Sequence, residues 1–331
     1  MEQRKKDHID LAFKTQTSAV EKDHRFQYEP MLSSHPADKL PESKLGGKIM
    51  KAPIWISSMT GGTKLGNKIN HNLARVAGEF GLGMGLGSCN ILLKNEKHLP
   101  DFDVRGTIGN DQPLYANMGI AQIEYYLERN DLQTIHDLLK TLRADGLVIH
   151  VNPMQEWLQP EGDKINSVPL KTIKTFMEDA DYPIIVKEVG QGMGKNSLAE
   201  LLSLNLEAIE FAAFGGTNFA RVELERNENA SAKLLEPLSY IGQTADEMTN
   251  MVNEMVEKNL SINTKGLIVS GGLKTFLDGY YHIQKSKIPA IYGMASTFLK
   301  YAKEDYDQLR DFTNSQIEGL KMAYAFLRIN E

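Results

Sequence analysis

Cysteine is nearly absent from this chain of 331 residues, and Cys89, standing alone, can form no intrachain disulfide. Long apolar runs are missing too. No stretch approaches the roughly 18 residues that a membrane span needs, so no membrane role is expected. The opening MEQRKKDHID is charged and is not followed by the apolar region of a secretory signal, which makes a cytoplasmic location the expectation. An excess of positive charge is lacking as well. The formal net charge is −6, which argues against a nucleic-acid partner, because such domains usually carry a basic stripe. No dinucleotide fingerprint and no short-period repeat is found. Among what is present, the apolar and charged fractions, 41% and 24%, are those of an ordinary globular protein able to bury a sizeable core.

After about fifty irregular residues, short apolar segments alternate with longer amphipathic ones, the pattern of a parallel sheet covered by helices. Eight strand candidates can be counted: IWISSMT from Ile54, GLGMGLGS from Gly81, PLYANMG from Pro113, GLVIHVN from Gly146, PIIVKEV from Pro183, AIEFAA from Ala208, GLIVSGG from Gly266 and AIYGMAS from Ala290. Helix candidates between them, such as IAQIEYYLERN, TIHDLLKTLRA, LAELLSLN and TADEMTNMVNEMVEKN, repeat apolar residues three and four apart. Eight units favour a closed (β/α)8 barrel, an α/β fold, over an open sheet, although the glycine-rich second strand could equally be a loop. A single domain over residues 1–331 is expected, with residues 1–50 as an irregular N-terminal extension.

Barrels of this kind build their sites from the C-terminal ends of the strands. The unusual polar residues fall there: Met59, Thr60, Gly61 and Gly62 after strand one, Ser88 after strand two, Asn117 on strand three, His150 and Asn152 on strand four, Lys187 and Glu188 on strand five. Taken singly, Thr60, Ser88 and Asn117 read as residues satisfying backbone groups where strands turn into loops. Lys187 differs, because an ammonium in the apolar run IIVKEV needs an anionic partner or a depressed pKa. Two readings follow, a Schiff-base nucleophile or a cation facing an anionic cofactor ring. Glycine-rich loops follow the last three strands: Phe214 to Thr217, Ser270 to Lys274, and Gly293 to Ala295. Backbone amides in such loops approach phosphate closely, so a phosphorylated ligand is implied, with Lys274 adding a point charge. Arg4, Lys5 and Lys6 read, by pattern alone, as a solvated terminus.

The most specific stretch is HVNPMQEWLQPEGD, from His150 to Asp163. Together with RKKDH at Arg4, SSMTGG at Ser57, ANMG at Ala116, VKEVGQGM at Val186, GGTNFARVE at Gly215, GQT at Gly242 and SGGLK at Ser270, it resembles the flavin-dependent type 2 isopentenyl-diphosphate delta-isomerases. The motifs run in that family's order and cover residues 4 to 299. The resemblance implies interconversion of isopentenyl and dimethylallyl diphosphate with reduced FMN, Mg2+ and NADPH as reductant, in a homo-oligomer, tetramer or octamer. It assigns Arg4, Lys5, His8, His150, Asn152 and Gln155 to the diphosphate substrate, with Gln155, His150 and Asn152 catalytic, and Glu156 to magnesium. It assigns Ser58, Met59, Thr60, Ser88, Asn117, Lys187 and Thr217 to FMN, and Gly272, Leu273, Lys274, Met294 and Ala295 to its phosphate end. Lys187 then contacts the flavin and no Schiff base is needed.

The chain departs from the family's pattern at Phe214 before GGT, at Gly194 where a serine often stands, at Lys274 in place of arginine, and in a longer stretch between Lys274 and Ala295. These departures put the flavin affinity in question. Three other readings stay open: a barrel oxidase of the hydroxy-acid type, against which no His-Gly-x-Arg run is found, a flavoprotein without turnover, and an aldolase using Lys187.

Overall fold

The structure is a computed structural model that describes residues 1–36, 38–229 and 232–330. Eight parallel strands close a barrel in sequential order: β1 (Ile54–Ile56), β2 (Gly83–Gly85), β3 (Leu114–Gly119), β4 (Gly146–His150), β5 (Ile184–Lys187), β6 (Ala208–Glu210), β7 (Leu267–Ser270) and β8 (Ala290–Met294). All eight lie inside the segments expected from the sequence. The four helices named there form over Ile120–Glu128, Leu132–Leu142, Lys195–Leu202 and Ala245–Glu257, the last opened by a capping box between Thr244 and Glu247.

Strand alternation divides the apolar residues into two cores. Outward side chains such as Ile54, Ile56, Met118, Ile149 and Val269 join the helices in one large layer. Inward ones form a separate cluster of Trp55, Tyr115, Val148, Ile185, Ala208, Ile268 and Ile291. The glycines of β2 belong to this second core, since a Cβ at Gly83 would lie 2.8 Å from Trp55 and one at Gly85 3.0 Å. The glycine-rich run is therefore a strand that leaves room for the indole.

The N-terminal fifty residues hold more order than their irregular pattern suggests. Strands Ser43–Leu45 and Lys48–Met50 form a hairpin whose Leu45 and Met50 join the inner core. Its turn is Gly46–Gly47, both at positive φ (58° and 77°), the two-residue signature that loop-like composition masks. Phe26–Tyr28 pairs antiparallel with Leu327–Ile329, tying the N-terminal extension to the C-terminal segment. No helix among the described residues is long and apolar enough to cross a membrane.

The hairpin yields a contrast between neighbours. A Cβ at Gly46 would sit 2.4 Å from the Tyr115 hydroxyl, whereas at Gly47 nothing lies within 4 Å. Gly47→Asn should cost under about 1 kcal/mol, while Gly46→Asn should cost about 2 kcal/mol or more. Urea unfolding of the two variants checks this, and equal costs would contradict the plugging of the barrel by this turn.

Candidate functional site

Two residues beyond the inner apolar core, seven of the eight strands deliver one more inward-facing position, a glycine on β8. This upper layer comprises Ser57, Asn117, His150, Lys187, Glu210, Ser270 and Gly293. His150 pairs with Lys187 and Lys187 with Glu210 in the strand registers. The layer is deeply buried, Lys187 being 8% exposed and Glu210 fully enclosed. Its Lys187 ammonium meets one hydrogen-bond acceptor among the described residues, the Glu188 carbonyl at 2.6 Å. The neighbouring Glu188 carboxylate accepts from the backbone amides of Gly190, Gln191 and Gly192, yet burial still holds its pKa above the usual range.

His150 lies 2.7 Å from Asn117, Nδ1 to Oδ1, so the neutral ring carries its proton on Nδ1 and donates to the amide oxygen. Burial first, and the charge of Lys187 second, push its pKa down to about 3. The ring is uncharged at neutral pH.

Lys187 opens into a cleft that also collects Ser57, Ser58, Thr217, Gly271, Gly272, Leu273, Met294 and Ala295. Seven of the twelve residues expected at the flavin thus meet in one place: Ser58, Lys187, Thr217, Gly272, Leu273, Met294 and Ala295. Ser57 and Ser58 leave their hydroxyl oxygens buried without a partner, the mark of a site awaiting a polar ligand. Consecutive positive φ values at Gly271 and Gly272 (94° and 78°) shape the floor, and a Cβ at Gly271 would come within 2.2 Å of the Ala213 backbone nitrogen. Asn117 lies outside this lining, against His150. Met59, Thr60 and Ser88 stand on the β1 and β2 loops outside this lining, and Lys274 is exposed just beyond Leu273.

Asn152 precedes the helix Pro153–Leu158, which starts with proline at its first position, where the missing N–H is no loss. This short helix carries Gln155 and Glu156. The buried Asn152 amide donates to Gln155 Oε1 (3.1 Å) and Glu156 Oε1 (2.9 Å), leaving its own oxygen unpartnered. Glu156 Oε2 also accepts from the Asp163 amide at 2.7 Å. Gln155 in turn donates to Glu223 Oε1 at 3.2 Å, and Arg226 pairs with the same Glu223. Glu223, 3% exposed, was quoted in the sequence within GGTNFARVE without a role. Its signal was there, since a glutamate three residues before Arg226 shares one face of the Phe219–Arg226 helix.

Arg4, Lys5 and His8 lie elsewhere. They stand on a helix, Glu2–Leu11, that buries no residue, and among the described residues no side-chain bond ties them to the barrel. Its apolar residues, Ile9 and Leu11, are themselves exposed. Two departures from the family pattern fall outside the Lys187 cleft. Gly194 caps the helix Lys195–Leu202 with open space around its Cβ position, and Phe214 faces a neighbouring cleft with Arg221 and Tyr240.

Fold and site together define a (β/α)8 barrel whose C-terminal rim gathers a buried lysine, unpartnered serine hydroxyls and glycine loops in one cleft. Solved structures share that fold: flavocytochrome b2 with sulfite bound, at a TM-score of 0.62 and 13% identity over 91% of this chain and 72% of that one, and a mandelate oxidase variant with the monooxide FMN adduct, at 0.59 and 10% over 93% and 88%. At such identities they speak to the fold alone. No family model matches the chain. Curated relatives do: isopentenyl-diphosphate delta-isomerase of Rickettsia akari (strain Hartford) is 34% identical over 96% of this chain and 91% of its own, and that of Rickettsia africae (strain ESF-5) 36% over 97% and 92%. The chain belongs to the isopentenyl-diphosphate delta-isomerase family.

Two histidines held neutral by desolvation make stability depend on pH. His282, 3.2 Å from the Thr249 hydroxyl, is pushed by burial down to about 4, as His150 is to about 3. Both folded values lie below the unfolded 6.5, so the unfolded chain takes up protons first. Their contribution is complete above about pH 6.5 and is lost as pH falls toward the folded values. Glu188, with its raised pKa, works in the opposite sense. Between pH 7 and pH 5 the unfolding free energy should drop by roughly 2–4 kcal/mol. Urea titrations at the two pH values test this, and a flat profile would contradict the neutral state of both rings.

Proposed function

We propose that this protein is an isomerase that interconverts isopentenyl and dimethylallyl diphosphate with reduced FMN, working as a single barrel domain over residues 1–331. The observation that carries the reading is the convergence of buried Lys187, the unpartnered Ser57 and Ser58 hydroxyls and the Gly271–Gly272 floor in one cleft. That combination fits a flavin mononucleotide, which has a ring edge that turns anionic on reduction and a phosphate tail. Family membership supplies the reaction.

Moving the double bond adds a proton at one carbon and removes one from another, with positive charge between them. When bound, reduced FMN supplies electron density and acid–base chemistry for that exchange. Lys187 would hold the anionic ring edge, with Ser58, Met59, Thr60, Ser88, Asn117 and Thr217 around the flavin. Gly272, Leu273, Lys274, Met294 and Ala295 would hold its phosphate end. Gln155, fixed between Asn152 and Glu223, would orient the reacting carbons, an amide being a poor proton carrier itself. His150 and Asn152 would face the diphosphate. Arg4, Lys5 and His8 would join it only once the N-terminal helix is brought over the rim.

Magnesium fits at Glu156. Among the described residues no group of three or more histidine, cysteine or acidic side chains could hold a metal unaided. One carboxylate, with substrate phosphate oxygens completing the shell, is how Mg2+ is usually held in phosphate sites. NADPH as a visiting reductant, a homo-oligomer and a cytoplasmic location belong to the same proposal.

Anaerobic incubation with isopentenyl diphosphate, reduced FMN and Mg2+ should produce dimethylallyl diphosphate, read by proton NMR. Gln155→Ala should keep FMN binding nearly intact and lower turnover by about 100-fold or more. Undiminished turnover would remove Gln155 from the chemistry, and a protein that never takes up FMN would favour an aldolase.

A further inference from the structure

Glu210 has no place in the assignment above, yet it is the one carboxylate of the upper inward layer and is fully enclosed. It ends β6 and lines the Lys187 cleft. Its Oε2 accepts from the Trp55 indole N–H at 3.2 Å and its Oε1 from the Ser270 hydroxyl at 3.3 Å. Ser270 Oγ in turn accepts from the Ala212 amide at 2.9 Å, and the Ser270 carbonyl accepts from the Ala213 amide at 2.8 Å. Ala212 sits at φ 42°, a left-handed conformation that a residue with a Cβ rarely takes unless its surroundings enforce it.

The chain of bonds has a direction. A serine hydroxyl has a single proton, and here that proton goes to the carboxylate, which leaves the oxygen lone pairs facing Ala212 N–H. With Glu210 removed, the hydroxyl is free to rotate, since no other hydrogen bond among the described residues takes its proton. The Ala212 turn leads into Ala213, against which Gly271 packs with 2.2 Å to a would-be Cβ, and onward to Gly216, whose own would-be Cβ lies 2.9 Å from the Gly272 nitrogen. Glu210 therefore stands at the origin of the packing between the two loops that form the floor of the cleft. Trp55, its other partner, is locked in the inner core by the glycines of β2 and lies edge-on to Tyr115 at 5.7 Å. The carboxylate is thus anchored on the rigid barrel side and transmits that rigidity to the loop side.

We infer that Glu210 is a positioning residue for the phosphate end of the cofactor: through Ser270 it fixes the left-handed turn at Ala212 and, with it, the seating of the 213–216 loop on Gly271 and Gly272. This rests on the FMN reading above and adds to it a residue that never touches the ligand. The consequence is specific to phosphate. Loosening the two loops should weaken FMN, whose tail they hold, far more than riboflavin, which lacks the tail.

The test is titration of the full-length apoprotein with FMN and with riboflavin, followed by flavin fluorescence. The wild type should prefer FMN. Glu210→Ala should lower FMN affinity about tenfold with riboflavin affinity changed less than threefold, collapsing the preference. Glu210→Gln should restore most of it, because its carbonyl oxygen still accepts the Ser270 hydroxyl proton. Ser270→Ala should mimic Glu210→Ala, and the double variant should be no worse than either single one, since both cut the same chain. If Glu210→Ala does not fold, Ser270→Ala and Glu210→Gln decide the matter. A preference for FMN that survives in Ser270→Ala, or equal losses for both flavins, overturns the role of Glu210. A wild type that binds neither flavin overturns it by removing the cofactor reading on which it stands.

Discussion

A strand in a closed barrel has only two directions in which to send a side chain, and the inward one leads into a space already filled. Trp55, Tyr115, Val148, Ile185, Ala208, Ile268 and Ile291 occupy that space. Whatever follows two residues later must therefore sit on top of a dry layer, cut off from water below and facing only the rim above. This one constraint makes the polar upper layer costly, and it is why Lys187, with one carbonyl as acceptor, and Ser57, with none, read as half of an interaction. An ammonium with a single hydrogen-bond acceptor and an orphaned hydroxyl on a packed floor leave unmet hydrogen-bonding capacity facing the rim.

The reacting end is organised differently. Leu158, Ala220 and Leu224 form a small core of their own, with Met154 and Ala232 packed against it, separate from the two barrel cores. That satellite joins the Pro153–Leu158 helix to the Phe219–Arg226 helix, so Gln155 and Glu156 on the first meet Glu223 and Arg226 on the second. Asn117 and Lys187 thus belong to the barrel wall, and Gln155 and Glu156 to a module held by its own small core. A small core buries little apolar surface, which makes this module easier to displace than the barrel beneath it.

The fold was legible because barrel strands buried on both faces read as continuous apolar runs, and the helices between them carry a clean three-and-four period. Even the doubtful second strand became intelligible, since its glycines answer to the width of Trp55 in another strand, information that no local pattern contains. The Gly46–Gly47 turn was legible in principle and passed over, because the residues around it alternate too briefly to stand out. Within the site, the strand-end residues and the glycine loops could be found by position alone. Glu210 and Glu223 could not be singled out that way. One lies in AIEFAA, where a glutamate looks like an outward-facing exception, and the other on a helix, where a glutamate looks like a surface charge. Burial and partners distinguish them, and both depend on segments far away in the sequence.

The electrostatics of the layer also constrain how a diphosphate is received. His150, neutral and already donating through Nδ1 to Asn117, offers the rim a lone pair on Nε2 instead of a proton. Asn152 likewise spends its N–H groups on Gln155 and Glu156 and keeps an oxygen free. Two residues assigned to an anion therefore present acceptors in this state. A polyanion placed beside His150 would oppose the burial and the Lys187 repulsion that keep the ring neutral, and a second proton on the imidazole would turn Nε2 into a donor. A cation at Glu156 would act in the same direction on Asn152, drawing on its free oxygen. On the proposed reading the substrate and its metal would bring the charges that make the rim complementary to them, and the barrel would be spared the cost of burying those charges in advance.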